Sequence, residues 1–136
     1  MVTFDKTNDP HSRPMTNLNE NPYAKMWFPS SINTRKVEDL KNNPNTLILF
    51  PDENKTTFYE IEGHASFASQ EVVDEKWVWW YLYWHPEQAD MFWFDHVQMH
   101  PERCIIDVKP VSTKTLSMDE VEYIQGTYKS MIPRNL

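Results

Sequence analysis

The chain has 136 residues, 40% hydrophobic and 14% aromatic, and a formal charge of −7. It is long enough for one domain with a real core, too aromatic for a disordered tail, and too acidic for a sequence-independent grip on nucleic-acid phosphates. The single cysteine, Cys104, excludes an internal disulfide or a multi-thiolate zinc site and suggests a reducing cytoplasm, while two glycines, Gly63 and Gly126, exclude a Walker loop or a dinucleotide-binding fingerprint.

The chain opens on two short extended candidates, "MVTFD" and "HSRPMTNL", separated by the turn cluster "KTNDP", which predicts a hairpin. After a second turn, "NENPY", comes "AKMWF" and then a helix from about Thr34 to Asn42, capped by Asn33 or Thr34 and stopped by "NNP". "NTLILF" is a continuous apolar run between turn residues and predicts a central strand buried on both faces. In "TTFYEIEGHASFAS", Tyr59, Ile61, Ala65 and Phe67 alternate with polar residues, and Gly63 falls in their inward row, marking a bulge or a close approach.

Between Gln70 and Trp84 the stripe Val73, Trp77, Trp80, Trp84 has helical spacing. "CIIDVKPVSTKTL" gives a last long strand, and Ser-Met-Asp-Glu at 117–120 opens a helical tail with a capping box. The apolar run "WVWWYLYW" at 77–84 is too short to cross a bilayer, and the amino terminus has no signal pattern, so a soluble protein is expected. Five or six mostly antiparallel strands with two or three short helices predict a small barrel with flanking helices, a mainly β fold of the all-β or α+β class.

The helix start "TRKVEDL" is where chemistry concentrates. Its first turn carries Arg35 and Lys36, although a helix N-terminus with its partial positive charge favours acids. Either the two cations are simply solvated, or an anion stands in front of them, held by the helix dipole, free N–H groups, the Thr34 hydroxyl, a guanidinium and an ammonium; a phosphate suits that set. Arg13 shares a predicted strand face with His11 and Met15; it is either solvent-facing on an edge strand or interior and in need of an anionic partner. His96 and His100, four apart and near Asp95, read as surface or loop residues, and no metal is expected. The aromatic block at 77–94 exceeds what one small barrel can cover, which predicts a subunit interface. No serine-nucleophile motif or cysteine–histidine pairing supports hydrolysis.

In order, "DPHSRPM", "MWFPSSINTRKVEDLKNNPNTLILF", "YEIEGHASF", the Trp-rich helix and "HPERCIIDVKP" resemble the pyridoxamine 5'-phosphate oxidase-like, FMN-binding split-barrel family, nearest its general stress protein 26 branch, over about residues 2–110. The resemblance implies one split-barrel flavin-binding domain over 1–136, with the barrel at 1–116 and a helical tail at 117–136. It implies FMN as cofactor, with the phosphate on Thr34, Arg35 and Lys36, Arg13 reaching the same cofactor beside Met15, and Trp27, Phe28, Pro29 and Ser30 running along the flavin ring. It further implies a homodimer with flavin at the subunit interface and a flavin-dependent oxidoreductase acting on a small substrate. Alternatives within the fold are a non-catalytic flavin-binding stress protein, or F420 or haem in place of FMN. Members usually begin with a helix where this chain starts on "MVTFD", which implies a reduced dimer flank. The tryptophan that often follows the last strand's "V-x-P" is absent, which removes one flavin-ring contact of the family, and the C-terminal arginine–histidine motif of the true oxidases is absent, so pyridoxamine-phosphate oxidation is not expected.

Overall fold

The computed structural model describes residues 1–52, 54, 56–84 and 102–128. Its elements run β1 (Val2–Phe4), β2 (Pro10–Ser12), β3 (Met26–Ser31), α1 (Arg35–Asn42), β4 (Asn45–Pro51), β5 (Phe58–Phe67), α2 (Gln70–Trp84), β6 (Arg103–Leu116) and α3 (Met118–Tyr128). The six strands form one curled antiparallel sheet, a half-barrel of order β2-β1-β4-β5-β6-β3. The predicted hairpin is present, with Val2 opposite Ser12 and Phe4 opposite Pro10, and Asn8 takes the one left-handed backbone among non-glycine described residues at its turn (φ 65°).

The curl comes from β6. This 14-residue strand pairs with β5 over Ile106–Leu116 and with β3 over Arg103–Val108, so Ile106, Asp107 and Val108 have a partner on each side. Both faces of β6 are buried here: Ile106 and Val108 enter the central core with Met26, Phe28, Ile48, Phe50 and Ile61, while Ile105 is fully buried beside them in sequence and so faces the other way. That other face is where α2 packs on β6, with Val73 buried.

Gly63 sits at a defect in the β5–β6 ladder. Glu62 faces Ser112 but Gly63 faces Pro110, so Val111 is the extra residue of a bulge, 74% exposed, and Pro110 stands where a missing N–H is tolerated. The close approach predicted at Gly63 is made by the Val108 side chain, whose Cγ1 a Cβ at Gly63 would strike. β4 corrects an expectation. It lies inside the sheet as predicted, yet it alternates, with Thr46, Ile48 and Phe50 buried and Leu47 and Leu49 half-covered, because no described element packs over the outer row closely enough to seal it. Phe67, at the end of the inward row of β5, is likewise 37% exposed.

α1 spans Arg35–Asn42 and buries Val37 and Leu40 at helical spacing, each worth roughly 1.5–3 kcal/mol on leaving water. At its other end the Asn43 N–H donates to Asp39 O (2.7 Å) before Pro44 stops the helix. α2 covers the residues predicted for it, and α3 packs Val121 against the sheet beside β6. Among the described residues no helix is long and apolar enough to cross a membrane. Asp95, His96, His100, Phe92, Trp93 and Phe94, and the side chains of Trp79, Trp80, Tyr81, Tyr83 and Trp84, lie outside the described residues.

Candidate functional site

α1 lies against β1, and three cations, Arg13, Arg35 and Lys36, gather near its start. β2 ends at Ser12, so the alternation expected to put His11, Arg13 and Met15 on one face stops short of Arg13 and Met15. The Arg13 N–H continues the hairpin by donating to Met1 O (3.1 Å), and its guanidinium turns inward, Nη1 donating to Thr3 Oγ1 at 2.8 Å. Thr3 is fully buried and its own hydroxyl donates a hydrogen bond to Asp39 Oδ2 (2.7 Å), which also lies 4.0 Å from Arg13 Nη2. The interior arginine therefore has its anionic partner within the chain. Asp39, buried in the middle of α1, was not legible as that partner, because a single acid in a helix carries no sign of what lies across from it.

One carboxylate does not balance three cations. Burial pushes the Arg13 guanidinium below its ordinary pKa, Asp39 works against that, and the charge of Arg35 adds to it. The Lys36 ammonium is lowered first by burial and then by the charge of Arg13, with Cys104 opposing. Cys104 is buried, and burial pushes its thiol up against the pull of Lys36 and Lys41 and a hydrogen bond with Ser30. Ser30 pairs with Cys104 across the β3–β6 ladder, so the end of that ladder and the first turn of α1 face one another.

Thr34 occupies the N-cap position with extended backbone, but its side chain makes no cap bond. Its hydroxyl donates backwards to Ser31 O (3.1 Å) and lies 3.5 Å from Ser30 Oγ. The first bond of the helical ladder is Glu38 N–H to Thr34 O at 3.2 Å, which leaves the N–H groups of the first turn without a side-chain acceptor. The structure thus brings Arg13, Ser30, Thr34, Arg35 and Lys36 together. His11 joins them, its Nδ1 3.4 Å from Arg35 Nη1 and its Nε2 3.1 Å from Asp5 Oδ2.

The remaining predicted site residues divide. Met15 packs on the core and, with Phe28, Ile48, Leu49 and Phe50, lines a mostly apolar cavity of about 230 Å³ whose polar side-chain lining is Asn17. Phe28 is 2% exposed, so its ring belongs to the core and can meet a ligand only through that cavity. Trp27 and Pro29 point to the opposite face of β3, and the Lys76 ammonium lies 4.4 Å over the Trp27 ring. The backbone of Trp27 is engaged: Asn19 Oδ1 accepts from its N–H (3.0 Å) and Asn19 Nδ2 donates to its carbonyl (2.9 Å). Among the described residues no group of three or more His, Cys, Asp or Glu side chains could hold a metal ion.

A core that is a curled antiparallel sheet of this kind has counterparts in known proteins. The family model for pyridoxamine 5'-phosphate oxidase-like proteins matches residues 1–115. A protein from Listeria innocua, provisionally named a pyridoxamine 5'-phosphate oxidase, is 25% identical, with 85% of each chain covered and a TM-score of 0.61. General stress protein 26 from Bacillus anthracis is 19% identical over 85% of this chain and 81% of its own, TM-score 0.59. A pyridoxamine 5'-phosphate oxidase-related, FMN-binding protein from Nostoc punctiforme is 14% identical over 87% and 72%, TM-score 0.64. Among curated proteins none matches the sequence. The chain belongs to the pyridoxamine 5'-phosphate oxidase-like family.

Proposed function

We propose that the protein binds FMN and works as a flavin-dependent oxidoreductase on a small substrate, as a homodimer with the flavin at the subunit interface. The observation that carries the cofactor assignment is the α1 start: Arg35 and Lys36 stand in a first turn whose N–H groups no side chain caps, and Arg13, beside the one buried carboxylate Asp39, is close enough for its charge to act on both. Burial is the first cause of the lowered pKa of Arg13 and of Lys36, and each also feels a neighbouring cation, Arg13 that of Arg35 and Lys36 that of Arg13; a phosphate dianion would favour the charged form of both.

The residues present fit the group. Arg35 and Lys36, neither in a salt bridge with a described carboxylate, would hold the phosphate oxygens with charge-assisted hydrogen bonds, and the helix N–H groups would complete the cradle. The Thr34 hydroxyl would turn from Ser31 O to donate to a phosphate oxygen. Arg13, tied to Thr3 and Asp39, serves more as a fixed charge at the back of the site than as a mobile ligand. The apolar cavity at Met15 and Phe28 gives a surface that excludes water, and bound flavin would supply the electron-transfer chemistry there. The homodimer rests on family membership and on the half-covered outer row of β4, Leu47 and Leu49.

FMN and riboflavin differ only in the phosphate, so the parent is expected to prefer FMN. Each charge-assisted hydrogen bond contributes about 1.5–3 kcal/mol, so losing two costs on the order of 3 kcal/mol, roughly a hundredfold in affinity. Replacing Arg35 and Lys36 together with Gln should erase most of that preference while riboflavin binding stays nearly constant, read by fluorescence quenching. A double variant that still prefers FMN places the phosphate elsewhere. The absorption spectrum of the purified protein separates flavin from deazaflavin or haem, and turnover of NAD(P)H with an added acceptor separates an enzyme from a carrier.

A further inference from the structure

The Arg35 side chain is exposed, so its grip on an anion depends on what holds it over the helix start. Its Nη1 lies 3.4 Å from His11 Nδ1, and His11 Nε2 lies 3.1 Å from Asp5 Oδ2. A guanidinium only donates and a carboxylate only accepts, so both contacts are hydrogen bonds in one state alone: a neutral imidazole that donates from Nε2–H to Asp5 and accepts at Nδ1 from Arg35. Asp5 and Arg35 are the charged groups that face His11, one from the β1–β2 turn and one from α1.

Asp5 is itself fixed. Its Oδ1 accepts from the N–H groups of Thr7 (2.8 Å) and Asp9 (2.9 Å) and from the Thr7 hydroxyl (2.7 Å). These bonds, the Thr7 hydroxyl foremost, hold its carboxyl well below the ordinary aspartate range, so it stays an acceptor and selects the tautomer. The turn thereby orients the imidazole, and the imidazole presents a lone pair to Arg35.

We infer that His11 is a positioning residue of the anion site, resting on the phosphate reading above: the chain Asp5–His11–Arg35 holds the guanidinium over the α1 start before the ligand arrives. An arginine held this way loses less rotamer freedom on binding than one left in solvent.

The test uses the full chain with FMN and riboflavin as probes and three substitutions. Asn at position 11 puts an amide oxygen where Nδ1 stands and keeps the acceptor for Arg35. Gln reaches Asp5 as Nε2 does but offers Arg35 no acceptor at the Nδ1 position, and Ala removes both. His11→Ala and His11→Gln should lower the FMN-to-riboflavin affinity ratio roughly three- to tenfold, the value of one hydrogen bond, while His11→Asn stays within about twofold of the parent. Three variants equal to the parent overturn the inference, and so do three that fall equally, which would make the imidazole a packing residue. If His11→Ala fails to fold, as judged by circular dichroism, the contrast of Asn with Gln decides in the same terms. A parent without FMN preference refutes the phosphate reading itself, whereas a parent that prefers FMN and a Gln variant that matches it refute only the role of His11.

Discussion

The two short helices α1 and α3 start from the same kind of residue and finish the job differently. At α3, Ser117 Oγ accepts from the Glu120 N–H (3.2 Å) and Glu120 Oε1 accepts from the Ser117 N–H (3.2 Å), a reciprocal capping box with Asp119 and Glu120 in the positive first turn. At α1, Thr34 stands in the equivalent place, Val37 stands where the box needs Glu or Gln, the threonine hydroxyl is spent on Ser31, and the first turn carries Arg35 and Lys36. One helix satisfies its own end. The other forgoes a cap worth about 1 kcal/mol and adds cations that oppose its dipole, an arrangement that is consistent with an anion arriving from outside.

The largest effect expected on this contrast comes from Asp39, which ties the cationic end of α1 to the sheet. Asp39→Asn leaves Arg13 without its carboxylate in a site where their side chains are 14% and 5% exposed, and should cost about 3 kcal/mol in urea unfolding. Added FMN should then stabilise this variant by more than it stabilises the parent, since the freed guanidinium becomes available to the phosphate; equal stabilisation would separate Arg13 from the anion site. Next in size, FMN at a hundred times its dissociation constant should stabilise the parent by about 2.7 kcal/mol, with amide hydrogen exchange slowed in the first turn of α1 and unchanged in that of α3. Uniform protection of both helices would erase the distinction.

Smaller effects separate the caps themselves. Ser117→Ala should lower thermal stability by about 1 kcal/mol, whereas Thr34→Ala in the absence of flavin should cost less than half of that, because no cap bond is lost. Equal losses would show that Thr34 caps α1 in solution. The smallest is a pH effect. The Glu120 carboxyl is held below its ordinary value by the Ser117 N–H and then the Ser117 hydroxyl. A depressed folded-state pKa gives stability that is present above the unfolded value and lost as pH falls through the folded one, so the α3 end should loosen on acidification below pH about 4. Glu120→Gln should flatten that dependence, as followed by hydrogen exchange at the α3 start.

Where local pattern and burial agree, the fold was legible. The alternation of β5 and the Ser-Met-Asp-Glu box each encode their structure within a few residues; the box stands as read, and the alternation holds over residues 61–66 and breaks at Phe67. "NTLILF" misled because a run of apolar residues looks the same whether its outer row is sealed or half-covered, and only the neighbours decide. At the site, Arg35 and Lys36 announced themselves by standing at the wrong end of a dipole. Asp39 and His11 did not, since their meaning lies in contacts to residues 36 and 24 positions away. His11 had one faint signal, its place two residues before Arg13. Asn19 had none, because a side chain that pairs with the backbone of Trp27 leaves no periodic mark.

That asparagine has a consequence for how copies of the chain can meet. β3 ends the sheet, and a terminal strand is ordinarily a template on which a foreign strand can grow. Here the template is blunted: the Asn19 amide covers the donor and acceptor of Trp27, Pro29 has no N–H to offer, and the Ser31 carbonyl accepts from the hydroxyls of Ser30 and Thr34. A second chain approaching this border meets no continuous ladder to extend. Fibre-like or domain-swapped growth through β3 is discouraged, and self-association on this side is left to side-chain surfaces, which can close into a finite assembly where an open strand would propagate.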